Sequence, residues 1–351
     1  MSAKSLSYLD LVNICDNVHI GRKSPILSPF DSEKLVPLHL SEEPESPAIG
    51  LLRPIIVEQL TSENEQSRKN ARPEMWVIAE NRVSFSSWLN TAAKRTEAMI
   101  ELCERWRDTG LFTDVCGPKK WRSEMYPVYR DPFGIRDHPS TNPDETKLNY
   151  AFELERSACA LFGIITYGVH MSVFQEKEVD GERQLFIWVP TRAKTKQTFP
   201  GFLDNTVAGG IPSGMSAFDS MVKECEEEAS YEPKVVKKYT RAVGCISYFF
   251  RTAAGWLQPE VEFVYDIAMP PDVDPTLFRP KPMDGEVEKF EFLDQNEIEA
   301  RMRAGLFKPN CGIVIIDLLI RLGYITPDNE PDFLQIITRL HGRFDYDRWS
   351  L

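Results

Sequence analysis

Residues 209–231, GGIPSGMSAFDSMVKECEEEASY, decide how this chain is read. Three glycines fall within six residues, and four glutamates then crowd the end of a helix-period segment. At 100° per residue, Phe218, Met221, Val222, Cys225 and Ala229 gather into a core-facing stripe. Glu224, Glu227 and Glu228, at i, i+3 and i+4, share another face, and Glu226 lies outside it. In isolation that face is unfavourable. Glu224 and Glu228 repel one turn apart, and all three sit toward the negative end of the helix dipole. A divalent cation removes the conflict, because carboxylate oxygens are the hard ligands that Mg2+ or Mn2+ take. The upstream glycines allow the backbone to turn sharply and approach a ligand. Ser216 and Asp219 have capping-box spacing, and Pro233 closes the segment. A plain solvated acidic face fits the same charges, so the helix alone leaves both readings open.

Composition narrows the classes. The 351 residues suffice for two domains, and 42% hydrophobic with 27% charged residues describes an ordinary soluble globular chain. A net charge of −12 argues against nucleic acid as a partner, since a phosphate-tracking surface is basic. Seven cysteines, with no CxxC and no zinc-finger spacing, read as free thiols in a reducing compartment. The first twenty residues lack the basic start, apolar run and cleavage site of a signal peptide. The apolar run SACALFGIITYGVHMSVF (157–174) contains glycines, hydroxyls and His170, which suits a pair of buried strands better than a membrane span. A cytoplasmic protein without membrane contact is expected, its oligomeric state open.

Along the chain, residues 4–20 and 86–108 carry helix periodicity, the latter opening on serines suited to capping. Residues 50–57 and 75–78 read as short strands around a polar loop at 62–73. DPFGIRDHPSTNPDETK (131–147) reads as a linker. Strand-like runs follow at 160–166, 169–175, 184–190, 205–208, 242–250 and 260–269, with helices at 216–230 and 311–323. The reading is α+β: an N-terminal extension at 1–130, a linker at 131–148, a second domain at 149–330 and a tail at 331–351.

With the glycines included, residues 209–231 resemble the Nudix hydrolase box, G-x5-E-x7-R-E-U-x-E-E-x-G-U, where U is bulky and apolar. Gly209 opens it, and KECEEEASY (223–231) aligns with its second half. The family's metal carboxylates map onto Glu224, Glu227 and Glu228. Met215 stands where the box has its first Glu, Lys223 where it has Arg, and Ser230 where it has Gly. The first Glu and the Arg are mainly orienting residues in the family, so these departures bear on loop geometry and rate. The segments WVPTRAK (188–194), PGFLDNTVAGG (200–210), EVEFVYD (260–266) and DGEVEKF (284–290) are similar to one subgroup. It is the fungal and plant branch related to the Nudix half of thiamine pyrophosphokinase fusions, whose members carry an N-terminal extension.

The resemblance implies an α/β/α sandwich with a mixed sheet, Mg2+ or Mn2+, and hydrolysis of a small-molecule diphosphate. The implied substrate is thiamine diphosphate or its oxidised oxo- and oxythiamine analogues. Glu224 and Glu227 would be catalytic, with Glu286 as a further acid from a later strand, alternating with Val287 and sharing a face with Glu288. Gly209 and Gly210 would approach the ligand, Arg192, Lys194 and Lys196 would meet phosphates, and Trp188 would stack on the organic moiety. A buried core position fits Trp188 as well, a basic surface loop fits the cations, and a satisfied core histidine fits His170. A pyrophosphatase of ADP-ribose, NADH or nucleotides, and a ligand-binding module with a weakened site, are the alternatives. An isomerase of the same fold needs a cysteine where this chain has DNTV (204–207).

Overall fold

A computed structural model describes residues 5–18, 28–142, 144 and 147–344. The N-terminal part of the 4–20 helix expectation and the end of the tail lie partly outside these residues. The first sheet has four strands, β1 (Val36–His39), β2 (Ala48–Leu52), β3 (Trp76–Ala79) and β4 (Arg82–Phe85), ordered β2-β1-β4-β3. Helix α1 (Tyr8–Cys15) precedes it in sequence, and α2 (Pro54–Lys69) and α3 (Ala92–Thr109) accompany it. A hairpin of β5 (Met125–Tyr129) and β6 (Tyr150–Glu155) follows. Its core is aromatic: Trp106 stacks on Phe162 at 5.8 Å, and Trp76 packs on Phe85 at 4.8 Å.

Three expectations fail here for identifiable reasons. The strand expected at 50–57 ends at Leu52, because Pro54 opens α2. Residues 62–73 are largely the second half of α2, not a loop. That helix shows almost no apolar face because its buried positions include Glu63 and Asn64. Glu63 accepts hydrogen bonds from Trp106 Nε1 (2.8 Å) and Arg105 (2.6 Å), and Asn64 pairs with the Trp76 backbone in both directions. Polar anchoring replaces the apolar stripe. Helix α3 starts at Thr91, whose hydroxyl caps it, and not among the serines at 86–87. Trp88 therefore lies off the helix, donating to the Glu74 carbonyl. Residues 131–137 are tied to the start of β6: Asp137 accepts from the Asn149 and Tyr150 amides, and Asn149 donates to the Asp131 and Ile135 carbonyls.

The second sheet is mixed and has six strands: β7 (Thr166–Val179), β8 (Glu182–Arg192), β9 (Val207–Gly210), β10 (Arg241–Arg251), β11 (Leu257–Met269) and β12 (Val287–Asp294). The order is β10-β11-β7-β8-β12, with β9 on β7, and β7 runs parallel to β11. Helices α4 (Ala217–Ala229) and α5 (Pro233–Tyr239) cover the face of Tyr167, Val169 and Val207. Helices α6 (Gln295–Arg303), α7 (Pro309–Arg321) and α8 (Phe333–Leu340) lie with α1 against Leu185, Ile187 and Val264 on the other face. This is the expected α/β/α sandwich. The expected strand at 160–166 is instead the end of a 3-10 helix (Arg156–Leu161) and a turn, so the run 157–174 supplies one long strand and not two. None of the helices among the described residues is long and apolar enough to cross a membrane.

The turn joins the two halves. Gly163 has φ +55°, and a Cβ there would overlap the Leu51 carbonyl and lie 2.9 Å from the Leu51 amide nitrogen. The Leu51 amide donates to the Phe162 carbonyl at 3.0 Å, so β2 cannot move away without losing a bond. Gly163→Ala is expected to destabilise the protein by at least ~2 kcal/mol through left-handed strain plus a backbone clash, read as a lower urea midpoint.

Candidate active site

The box loop leaves β9 at Gly210, and Gly214 turns it at φ +78°. Ser216 caps α4, accepting from the Asp219 amide at 3.0 Å. The helix ends on Ser230 in the left-handed region, φ +57°, where the box motif has glycine. A serine there costs roughly 1 kcal/mol, and its hydroxyl recovers part of that by donating to the Lys281 carbonyl at 2.9 Å.

The three carboxylates sit in three different environments. Glu227 is half exposed and accepts from Lys223 Nζ at 2.6 Å; the same ammonium is 3.4 Å from Glu224. Glu224 lies over Gly209, where a Cβ would come 2.6 Å from its Oε2 and closer to its Cδ. Burial raises the Glu224 pKa, and Lys223 opposes the rise. Glu228 is only 8% exposed and accepts from the Ala208 amide at 3.2 Å. Burial, then Asp204 and Glu224, push it up to about 8, with Lys196 4.0 Å away acting against them. Burial lowers the pKa of the Lys196 ammonium in turn, and Glu228 opposes that shift.

Lys196 also pairs with Glu286, which brings Glu286 to the rim of this cluster. Glu286 does not lie in a strand: it precedes β12, and a bulge between Val287 and Lys289 breaks the alternation expected with Glu288. Two expected ligand contacts are committed elsewhere. The Arg192 guanidinium is buried against Asp204 at 2.6 Å and also donates to the Thr198 and Phe199 carbonyls. Trp188 is buried in the core, its ring 4.8 Å from that of Phe292. The Lys194 side chain is exposed. Gly209, near the end of β9, lies beneath Glu224, while Gly210 faces Tyr126 and Arg156.

A second polar cluster, of which the sequence reading weighed His170 as a satisfied core histidine but not its carboxylate partner, lies on the α7 side of the same strands. His170 on β7 stands 3.5 Å from Glu262 on β11 and 2.7 Å from Asn205 Oδ1. Burial works against the imidazolium, yet Glu262 holds the His170 pKa well above its ordinary value. The Tyr248 hydroxyl is 2.9 Å from Glu262 Oε1 and also meets Glu260, and Asn310 donates to that hydroxyl at 3.0 Å. Glu262 Oε2 is buried with no hydrogen-bond partner among the described residues. It fills the space of the missing Gly168 Cβ, a position that lies 3.1 Å from the Gly209 carbonyl oxygen. Through this window of glycines the second cluster reaches the box.

Residues 169–310 match the NUDIX domain model, and residues 45–166 match a domain of unknown function, DUF4743. The chain carries a Nudix domain. The uncharacterized protein YJR142W of Saccharomyces cerevisiae is 36% identical over 248 residues, covering 67% of this chain and 65% of that protein. Nudix hydrolase 20, chloroplastic, of Arabidopsis thaliana is 35% identical over 262 residues, covering 74% of this chain and 62% of that protein. The chain thus spans a little under two thirds of the length of these relatives. Among solved structures, the Nudix domain of Shewanella oneidensis NrtR complexed with ADP ribose aligns at 16% identity and a TM-score of 0.34, covering 46% of this chain and 90% of that one. Deinococcus radiodurans DR0079 aligns at 21% identity and a TM-score of 0.31, covering 42% of this chain and 80% of that one.

The Nudix domain therefore contains both polar clusters, while β5, β6 and Arg156 belong to the DUF4743 match. The donor set suits a hard divalent ion: Glu224 and Glu228 are carboxylates with too few cations, and Gly209 keeps open a cradle that a Cβ would fill. Among the described residues, no three such side chains already stand in coordinating positions. Lys223 and Lys196 hold those places instead.

Proposed function

We propose that the protein is a metal-dependent diphosphate hydrolase that converts thiamine diphosphate, or its oxidised oxo- and oxythiamine analogues, to the monophosphate and phosphate. The observation that carries the reaction is α4, where three carboxylates at one helix end are offset by two lysines and face a strand edge without side chains. Glu224, Glu227 and Glu228 would hold Mg2+ or Mn2+, which when bound neutralises the diphosphate and acidifies water. Glu286, outside that set, takes the proton from the attacking water, and Lys196 holds it at the rim. Gly209 and Gly210 let the diphosphate approach backbone. Lys194 is free to meet the outer phosphate. Arg192 instead shapes the loop beneath, and Trp188 supports the sheet.

The thiamine assignment rests on subgroup resemblance and is supported by the second cluster. Among the described residues no donor meets Glu262 Oε2, and Glu260 shares the Tyr248 hydroxyl with Glu262. Thiamine carries an amino group on its pyrimidine ring, and such an N–H donor is what this carboxylate oxygen is missing. Seven free cysteines, six of them buried, accord with a reducing compartment, and we place the activity in the cytoplasm.

Incubation with Mg2+ and each of thiamine diphosphate, oxo- and oxythiamine diphosphate, ADP-ribose and NADH tests this by release of phosphate or monophosphate. The largest kcat/KM is expected within the thiamine group. Preference for ADP-ribose would replace the substrate assignment, and turnover of none would remove the hydrolase. Glu227→Gln is expected to abolish turnover with an unchanged circular dichroism spectrum.

A further inference from the structure

The DUF4743 segment does not merely precede the box; it touches the box loop at three consecutive places. The Ser213 amide donates to the Met125 carbonyl at 2.9 Å. The Tyr126 hydroxyl occupies the space of the missing Gly210 Cβ, whose position is 2.8 Å from Tyr126 Cζ. The His138 ring lies 3.4 Å from the corresponding position at Gly214. These are the residues between the glycines of the box and the start of α4. Met215 cannot orient this loop as an acid would, and β5 together with His138 holds it from outside.

The same contact brings in a cation. Arg156 follows β6, and its Cζ lies 3.3 Å from the Gly210 Cβ position and 5.1 Å from the centroid of the Tyr126 ring. Nη1 donates to Glu124 at 2.7 Å, while Nε and Nη2 have no hydrogen-bond partner among the described residues. The side chain is 41% exposed, so a solute can reach it beside Gly210. Its charge acts both on Glu224 in α4 and on Glu260 in the second cluster. A guanidinium with two free N–H groups in one plane matches two oxygens of a phosphoryl group, a geometry a lysine cannot reproduce. The box has Lys223 where the motif has Arg, and Lys223 is spent on Glu224 and Glu227.

We propose that Arg156, contributed by the DUF4743 domain, is a substrate-binding residue of the Nudix site that grips the diphosphate through Nε and Nη2. The DUF4743 domain then completes the active site instead of serving as a separate module. This rests on the diphosphate reading above, and a binding measurement separates the two. Calorimetric titration of the full chain with imidodiphosphate and Mg2+ is followed by the same titration of Arg156→Gln, Arg156→Lys and the exposed neighbour variant Arg122→Gln. Arg156→Gln is expected to weaken binding at least tenfold and Arg156→Lys to recover only part of it. Arg122→Gln and the thermal midpoint of all three are expected to stay near wild type. With a turned-over substrate, Arg156→Gln should raise KM by a similar factor and change kcat less than threefold. Wild-type affinity in Arg156→Gln overturns the proposal. So does equal weakening by Arg122→Gln, which would indicate a diffuse field, and so does a wild-type protein that binds no imidodiphosphate. Tight wild-type binding lost in Arg156→Gln, with none of the substrates hydrolysed, upholds Arg156 and removes only the hydrolase.

Discussion

Glu228→Gln is expected to lower turnover about a thousandfold, the scale of losing a metal-holding carboxylate, while making the metal-free protein more stable at alkaline pH. The second half follows from burial. The Glu228 carboxyl titrates at about 8 in the fold against an ordinary 4.5. Between those values the folded chain holds a proton that the unfolded chain has released, so stability falls as pH rises through that window and levels off above 8. Each pH unit of displacement corresponds to ~1.4 kcal/mol, which puts the total cost of ionising Glu228 on the order of 3–5 kcal/mol. Glutamine keeps an oxygen to accept from the Ala208 amide and carries no charge to desolvate. Urea midpoints of wild type and variant should coincide near pH 5 and diverge progressively toward pH 9, with the variant higher. Mg2+ should lift the wild type at high pH and leave the variant unmoved. Parallel midpoints at every pH would mean that Glu228 is not a buried carboxylate awaiting a cation.

What made α4 readable was a conflict visible in one dimension. Apolar residues at helical spacing fixed its inner face, and the self-repelling trio on another face demanded a cause within the same segment. The strands of the second sheet were readable because they are long apolar runs. Helix α2 was not, because Glu63 and Asn64 are buried by partners on α3 and β3 that no local pattern announces. The Gly168, Gly209 and Gly210 window was legible as glycine but not as purpose. Only the side chains of Glu262, Glu224 and Tyr126, drawn from elsewhere in the chain, show what a Cβ would displace. Arg156 had no periodic context at all, since its importance comes from a loop more than fifty residues later. Glu260 and Glu262 did leave a signal, two charges alternating inside an apolar strand run, and His170 left another. Each alone reads as an oddity, and together they are a buried pair.

That pair supports the second large expectation. His170→Ala is expected to destabilise the protein by about 3–5 kcal/mol, the cost of stranding a buried charge. Glu262 would keep only the Tyr248 hydroxyl and Asn310 near Oε1, with Oε2 still unpaired. The pH dependence distinguishes this from a mere cavity. His170 is raised above its ordinary 6.5, so its contribution is complete below 6.5 and is lost as pH climbs toward the folded value. Burial opposes ionisation of Glu262, but His170 overcomes it and lowers that pKa below its ordinary 4.5, so the carboxylate's share is complete above 4.5 and fades in acid. The pair is therefore worth most between pH 4.5 and 6.5. The deficit of His170→Ala in urea should be largest there and shrink toward both extremes, whereas a cavity would cost the same throughout. Adding Glu262→Gln to His170→Ala removes the stranded charge and should restore at least half of the loss. A double variant no better than the single one would place the damage in packing around Asn205 and α7 and not in the carboxylate.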